Sequence, residues 1–309
     1  METRTKRRKN KNSKKIFLYS FLGLLTLLIS YVGIQYYSFQ QALSKMNTLE
    51  GNTPVIDTPD KTIHKEPFSV LLLGVDEREN DVGRTDTMIV ITVNPNLGTI
   101  KMLSIPRDAR VEIIGNNTTE KINHAYARGG IPMSIDTVEN LLNIPIDYYV
   151  SVNMEGFLSV IDAVGGIEVE NDIDLFHKGY NFPKGKITLN GDEALVYSRI
   201  RKEDPRGDFG RQIRQKQLLE ALFAEVKNPQ IVLQLNEIFN ILGSNVKMNF
   251  TMKEITEMPE LYNQLDKSIE QIQFEQGYGQ FIGELWYYIL DENEVAQVSK
   301  ELNEHLEIE

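Results

Sequence analysis

The chain opens on a polar, densely basic stretch and passes at Ile16 into IFLYSFLGLLTLLISYVGIQYY, a run as far as Tyr37 without a charged side chain. Roughly 20 apolar residues span a bilayer as a helix, so this run predicts one N-terminal transmembrane helix. A cleaved signal peptide would show a shorter apolar region, about 7 to 15 residues, and an A-x-A-like site. No such site precedes Gln40-Gln41-Ala42-Leu43, and the span reads as an uncleaved anchor. Ser38 to Glu66 is polar, carries Gly51, Pro54 and Pro59, and lacks sustained apolar periodicity. That composition predicts a stalk.

At Phe68 the pattern changes to Ser69-Val70-Leu71-Leu72-Leu73-Gly74-Val75, the short apolar run expected of a strand buried on both faces. Thr87 to Val93 and Thr99 to Ile105 are β-rich runs separated by Asn94-Pro95-Asn96-Leu97-Gly98, turn chemistry that makes them antiparallel neighbours. Helical spacing follows at Ser134 to Leu142 and at Met154 to Val164, the second capped by Asn153 and stopped by Gly165-Gly166, with a strand at Tyr148 to Val152 between them. Gly191 to Ser198 predicts a short helix, and Phe209 to Lys227 a long amphipathic one capped by Asp208 and ended at Asn228-Pro229. Further helices are expected at Gln230 to Leu242, Thr251 to Leu265 and Glu292 to Leu306, and strands at Ile269 to Phe274 and Trp286 to Leu290. Strands mixed with helices, and an early hairpin, indicate an α/β (mixed α+β) domain of three layers. The expected organisation is a basic tail (1–15), an anchor (16–37), a stalk (38–66) and one domain (67–309).

Charge sets the topology. The tail carries eight Lys and Arg against the single acid Glu2, about +7, which holds the N-terminus in the cytoplasm and sends the domain outside as a single-pass type II membrane protein. With a net charge of -11 for the whole chain, about -18 remains for the rest, so the domain repels bare nucleic acid. The absence of cysteine excludes disulfides, thiol catalysis and a Cys-ligated metal. At 309 residues and 41% hydrophobic, the chain is able to bury one large core or two modest ones.

Four groups of residues bear chemistry. Asp76-Glu77-Arg78 ends the first strand and Gly83-Arg84-Thr85-Asp86-Thr87 precedes the second. Asp76 and Asp86, hard carboxylates at neighbouring strand ends, suit Mg²⁺. A turn cap at Asp76 and an Asp86–Arg84 ion pair would account for them as well. Ser104-Ile105-Pro106-Arg107-Asp108 leaves the third strand, Pro106 stiffening the exit; Arg107 is placed either to grip phosphate or to pair with a neighbouring acid. Lys121-Ile122-Asn123-His124 offers a lysine, an amide and an imidazole, and a lone histidine is more often structural than catalytic. Between Arg199 and Lys216, seven basic residues face Glu203, Asp204 and Asp208. If the Arg199 to Arg201 step is extended, both guanidinium groups point to one side, and Asp208, Arg211 and Gln215 share a stripe near a helix N-terminus that favours anions. A solvated charged face is the alternative.

In order, LLLGVDEREN, GRTDTM, SIPRD, KINHAYARGG and GDEALVYSRIRK followed by DFGRQIRQ resemble the LytR-CpsA-Psr family of cell-wall glycopolymer transferases. The likeness covers Ser69 to Lys216, while Asn228 to Glu309 carries no matching motif. It implies an α-β-α sandwich around a mixed sheet, with a polyprenyl chain in an apolar cavity and its diphosphate at the mouth. By resemblance Asp76 and Asp86 are the positions tied to Mg²⁺ (or Mn²⁺) and catalysis. Arg84, Arg107, Arg199, Arg201 and Arg211 match the diphosphate-binding arginines, Arg107 also counting as catalytic, and Lys121, Asp208 and Gln215 are in support.

The expected reaction is attack of a peptidoglycan hydroxyl, the 6-hydroxyl of N-acetylmuramic acid, on the sugar-side phosphorus of a polyprenyl-diphosphate-linked glycopolymer such as teichoic acid. A carboxylate on Mg²⁺ is a poor base, so at most one of Asp76 and Asp86 takes the hydroxyl proton, and Asp76 is favoured. A polyprenyl-diphosphate hydrolase would use the same residues, and a membrane-anchored wall-stress regulator would need the anion site without the metal.

Overall fold

The computed structural model describes residues 19, 25–26, 29–47, 61–78, 81–225, 235–265 and 269–308. The basic tail, part of the apolar run Ile16 to Tyr37 and the middle of the stalk lie outside the described residues. Among the described residues no helix is long and apolar enough to cross a membrane.

In chain order the first elements are α1 (29–46), β1 (Phe68–Arg78), β2 (Asp81–Asn94), β3 (Thr99–Ser104), β4 (Arg110–Ile113), β5 (Thr118–Lys121), α2 (His124–Leu142) and β6 (Tyr148–Asn153). There follow α3 (Met154–Ala163), β7 (Ile167–Asn171), β8 (Leu175–His177), β9 (Tyr180–Phe182), β10 (Gly185–Leu189), α4 (Gly191–Arg199) and α5 (Asp208–Glu225). The last are α6 (Leu235–Asn245), β11 (Val246–Met248), α7 (Met252–Gln264), β12 (Ile269–Gln273), β13 (Tyr278–Ile282), β14 (Leu285–Ile289) and α8 (Glu292–His305).

The central sheet has the order β11-β6-β1-β2-β3-β12 and is mixed, with β1 parallel to β6 and antiparallel to β2. The turn predicted between β2 and β3 forms, with Gly98 at φ 69° and the Asn94 side chain accepting from the Leu97 N–H at 3.0 Å. Alternation along β1 serves two interiors. Leu71, Leu73 and Val75 join Met88, Val90, Leu103 and Tyr149 under α2 and α8. Phe68 and Val70 join Val93 and Tyr148 under α7, where Tyr148 stacks on Phe250 at 4.3 Å between centroids. Both faces are therefore covered by helices, as three layers require. A further core is closed by α3, α4 and α5 around the β7–β10 and β8–β9 ribbons.

Several boundaries differ from the sequence reading. The first helix of the domain begins ten residues early, at His124, and breaks at Gly129 and Gly130 (φ 65°) before Pro132, which cannot donate to the preceding turn. Asp208 is the first residue of α5 and not its cap: the Gly207 carbonyl, at φ 60°, accepts the first helical bond from Arg211 N. At both ends of the segment read as a stalk the chain packs on the domain. Ala42, Leu43 and Met46 of α1 are buried with Val246 beside α6, Ile63 is fully buried, and Lys61 pairs with Asp147 at 2.7 Å.

Candidate active site

β1, β3, β6 and β12 run in one direction, so their C-terminal ends share an edge of the sheet with the start of β2. Ligands collect at such an edge because the loops leaving it are free to diverge. The ladder between β1 and β2 pairs Gly74 with Thr87 and Val75 with Thr85, which leaves Asp86 as an extra residue in a bulge. A bulge re-aims its side chain. Asp76 lies one step further, paired through the backbone with Arg84, which is exposed.

Asp86 is the meeting point of two elements. Its carboxylate accepts from Arg107 Nη1 at 2.5 Å, and its backbone carbonyl accepts from Arg211 Nη1 at 3.2 Å. Asp86 thus pairs with Arg107 and not with Arg84, as the bulge turns it toward the β3 exit. Arg107 is held in a turn in which Ala109 N–H donates to the Pro106 carbonyl at 2.9 Å, and it is a quarter exposed. Arg211 is buried on the first turn of α5.

The other predicted residues divide into those at the site and those behind it. Arg201 lines a pocket of about 150 Å³ together with Arg107 and Asp108. Arg199 ends α4, and the extended Ile200 between the two arginines is buried in the core. Gln215, half-buried, lies one turn beyond Arg211. The side chains of Asp76 and Asp208 lie outside the described residues. Lys121 is set back: it pairs with Asp108 at 2.7 Å and stands 5.8 Å from the Tyr287 ring centroid, so it positions the loop that carries Arg107. His124 is structural, bound with Arg128 to Glu120, and the guanidinium first and the imidazole second hold that carboxyl down to about 2.

Two arginines of the basic cluster are scaffolding. Arg214, fully buried, pairs with the equally buried Asp204 and donates to the carbonyls of Tyr197 and Ile200. Arg206 clamps Asp204 and Asp172. Burial opposes the Asp204 charge, but hydrogen bonds from Arg206 and Arg214 outweigh it and keep the carboxyl well below the ordinary range. The knot fixes the α4–α5 connection that carries Arg199, Arg201 and Arg211.

The sequence reading missed the far wall of the pocket, which is formed by Phe209, Phe274, Trp286 and Tyr288. Trp286 and Tyr288 come from the C-terminal region without motifs, and the strand predicted there was their one signal. Among the described residues there is no group of three or more His, Asp or Glu able to hold a metal ion.

The chain matches the LytR_cpsA_psr family over residues 32–304. It is 43% identical, over 98% of its length and 99% of the relative's, to the Bacillus subtilis (strain 168) protein named polyisoprenyl-teichoic acid–peptidoglycan teichoic acid transferase TagU. The crystal structure of B. subtilis TagU superposes with a TM-score of 0.65 at 44% identity, covering 79% of this chain and 99% of that one. A structure of TagT bound to LIIa-WTA superposes with a TM-score of 0.67 at 33% identity, covering 85% and 99%.

Proposed function

The chain belongs to the LytR_cpsA_psr family, and from that premise we propose that it moves an anionic glycopolymer of the teichoic-acid type from a polyprenyl-diphosphate carrier to peptidoglycan. The observation that carries this reading is the convergence of Arg107 and Arg211 on Asp86 from two separate elements, with Arg201 in the same pocket as Arg107. Guanidinium groups held in this way match the oxygens of a diphosphate.

Phosphoryl transfer depends mainly on positioning and on charge neutralisation. In the proposed step the acceptor oxygen, the 6-hydroxyl of N-acetylmuramic acid, bonds to the sugar-side phosphorus. The bond from that phosphorus to the bridging oxygen breaks, and polyprenyl phosphate leaves with the electron pair. Arg107, Arg201 and Arg211 hold the diphosphate and neutralise it. Asp86 would hold a Mg²⁺ or Mn²⁺ ion, with Asp76 beside it on the paired strand, and the bound ion would supply further neutralisation. Among the described residues no group of three or more carboxylates or histidines crowds Asp86, which suits Mg²⁺, an ion that keeps waters and shares its coordination with substrate phosphates. A carboxylate on a divalent ion is a poor base, so the hydroxyl proton goes to Asp76. The basic tail and the apolar run would anchor the chain with its domain outside the membrane, where an activated diphosphate needs no ATP.

The test is transfer of radiolabelled glycan from a synthetic polyprenyl-diphosphate donor to peptidoglycan fragments by the full chain in detergent, with Mg²⁺ or EDTA and with Arg107→Ala alongside. Mg²⁺-dependent label on the acceptor, reduced at least tenfold in the variant, supports the reading. Label released to water would instead indicate a hydrolase, and donor binding without turnover a regulator.

A further inference from the structure

The hairpin of β13 and β14 joins no strand of the central sheet. Directly opposed residues of an antiparallel pair share a face, so Gly279 with Tyr288 and Phe281 with Trp286 lie on one side of it. On that side the rings rest over glycine backbone. A Cβ on Gly279 would fall 2.8 Å from the Trp286 indole, and one on Gly277 2.5 Å from the Tyr288 ring. Trp286 and Tyr288 line the pocket that holds Arg107 and Arg201, while Phe281 is 69% exposed. An aromatic row therefore leads from the arginines out into solvent. It is fixed to the Arg107 loop, because Tyr288 N–H donates to the Asp108 carbonyl at 2.9 Å and the Tyr288 hydroxyl to the Phe274 carbonyl at 3.2 Å.

A rigid row of exposed rings that begins at a polar pocket marks a binding surface. A polyprenyl chain needs an enclosed apolar cavity, and this row is open to water. The donor polymer is a polyanion, and charge opposes it: between Lys267 and Lys300 there is no Lys, Arg or His, against the six acids Glu270, Glu275, Glu284, Asp291, Glu292 and Glu294. A neutral glycan meets neither objection. Pyranose rings present C–H faces that pack on aromatic rings and keep their hydroxyls in water, where amphipathic rings such as Tyr and Trp are at home.

We propose that the Tyr288–Trp286–Phe281 row binds the acceptor, laying the neutral backbone of a glycan strand along the hairpin so that one pyranose hydroxyl enters the pocket beside Arg107. The role as acceptor rests on the transferase reading; the binding itself does not.

Trp286 is the chain's single tryptophan, so its emission reports this surface directly. The full chain in detergent is titrated with the neutral pentamer of β-1,4-linked N-acetylglucosamine and, separately, with purified teichoic acid. The expected result is a saturable change in emission with the pentamer, half-saturation raised at least fivefold by Phe281→Ser and restored by Phe281→Tyr, and no saturable change with teichoic acid. A flat pentamer titration, an unaltered Phe281→Ser variant, or saturation by teichoic acid overturns the proposal. A protein that binds the pentamer without transferring glycan therefore refutes the transferase reading alone, and one that transfers with a flat titration refutes the aromatic row alone.

Discussion

Replacing Asp204 by Asn removes the negative charge from a sealed knot while keeping the side chain's size. The Asp204 and Arg214 side chains are both 0% exposed. Asp204 accepts from Arg206 Nε and Nη2, each at 3.0 Å, from the Arg206 N–H at 2.8 Å, and from Arg214. Arg206 keeps Asp172 in the variant, but Arg214 retains only carbonyl partners and its charge is left buried without a counter-charge. Breaking a buried pair in this way costs about 3–5 kcal/mol. At about 2–4 °C per kcal/mol for a domain of roughly this size, Tm should fall by about 6–20 °C, which scanning calorimetry of the full chain in detergent will measure. The pH dependence has a definite sign. The folded carboxyl titrates below its ordinary value, so its contribution is whole above about pH 4 and is lost as pH falls further. The gap between parent and variant should be constant from about pH 5 to 8 and close below about pH 4. A Tm change under about 3 °C, or a gap that widens in acid, would refute the account of Asp204 as the counter-charge that fixes α5.

Two further outcomes follow from the same reasoning. Gly210→Ala places a Cβ 1.8 Å from Asp204 Oδ2, a carboxylate that two arginines prevent from moving, so it should cost about 1–3 kcal/mol by calorimetry. In the Asp204→Asn background that cost should be less than additive, since the two positions touch. His305 is buried with Thr92 and Thr99 hydroxyls 2.8 Å from its two ring nitrogens, and burial first, then nearby Lys101, lower its pKa against the opposing Glu270, Glu301 and Glu307. Its stabilisation is present above about pH 6.5 and lost as pH falls through the folded value, so Tm should drop between about pH 7 and 5, and less steeply in His305→Gln.

Much of the frame is legible in the chain because its signals are local. The β1 run, the Asn94–Gly98 turn and the Asn153 cap depend on residues within one turn or one strand of each other, and each appears where its pattern lies. The short ribbons β4–β5 and β8–β9 are not legible in this way. Strands of three or four residues carry too little periodicity, and what holds the β8–β9 ribbon is the core it shares with α4 and α5.

The arginine cluster marks the boundary between the two kinds of information. By itself the sequence determined that basic residues crowd between Arg199 and Lys216 in an otherwise acidic chain, and that Arg107 follows a proline at a strand end. Spacing alone gave no physical ground for separating Arg206 and Arg214 from Arg199, Arg201 and Arg211, the three that the family resemblance singled out. Tertiary structure made that division, by bringing Asp172 from 34 residues away to Arg206 and by turning the bulged Asp86 toward Arg107. The aromatic wall of the pocket was likewise decided by folding, since Trp286 and Tyr288 meet Arg107 only where β14 is pinned to the Asp108 carbonyl. Spacing along a chain records which side chains share a face, whereas the pairing of a charge depends on which distant group the fold brings within a few ångströms of it.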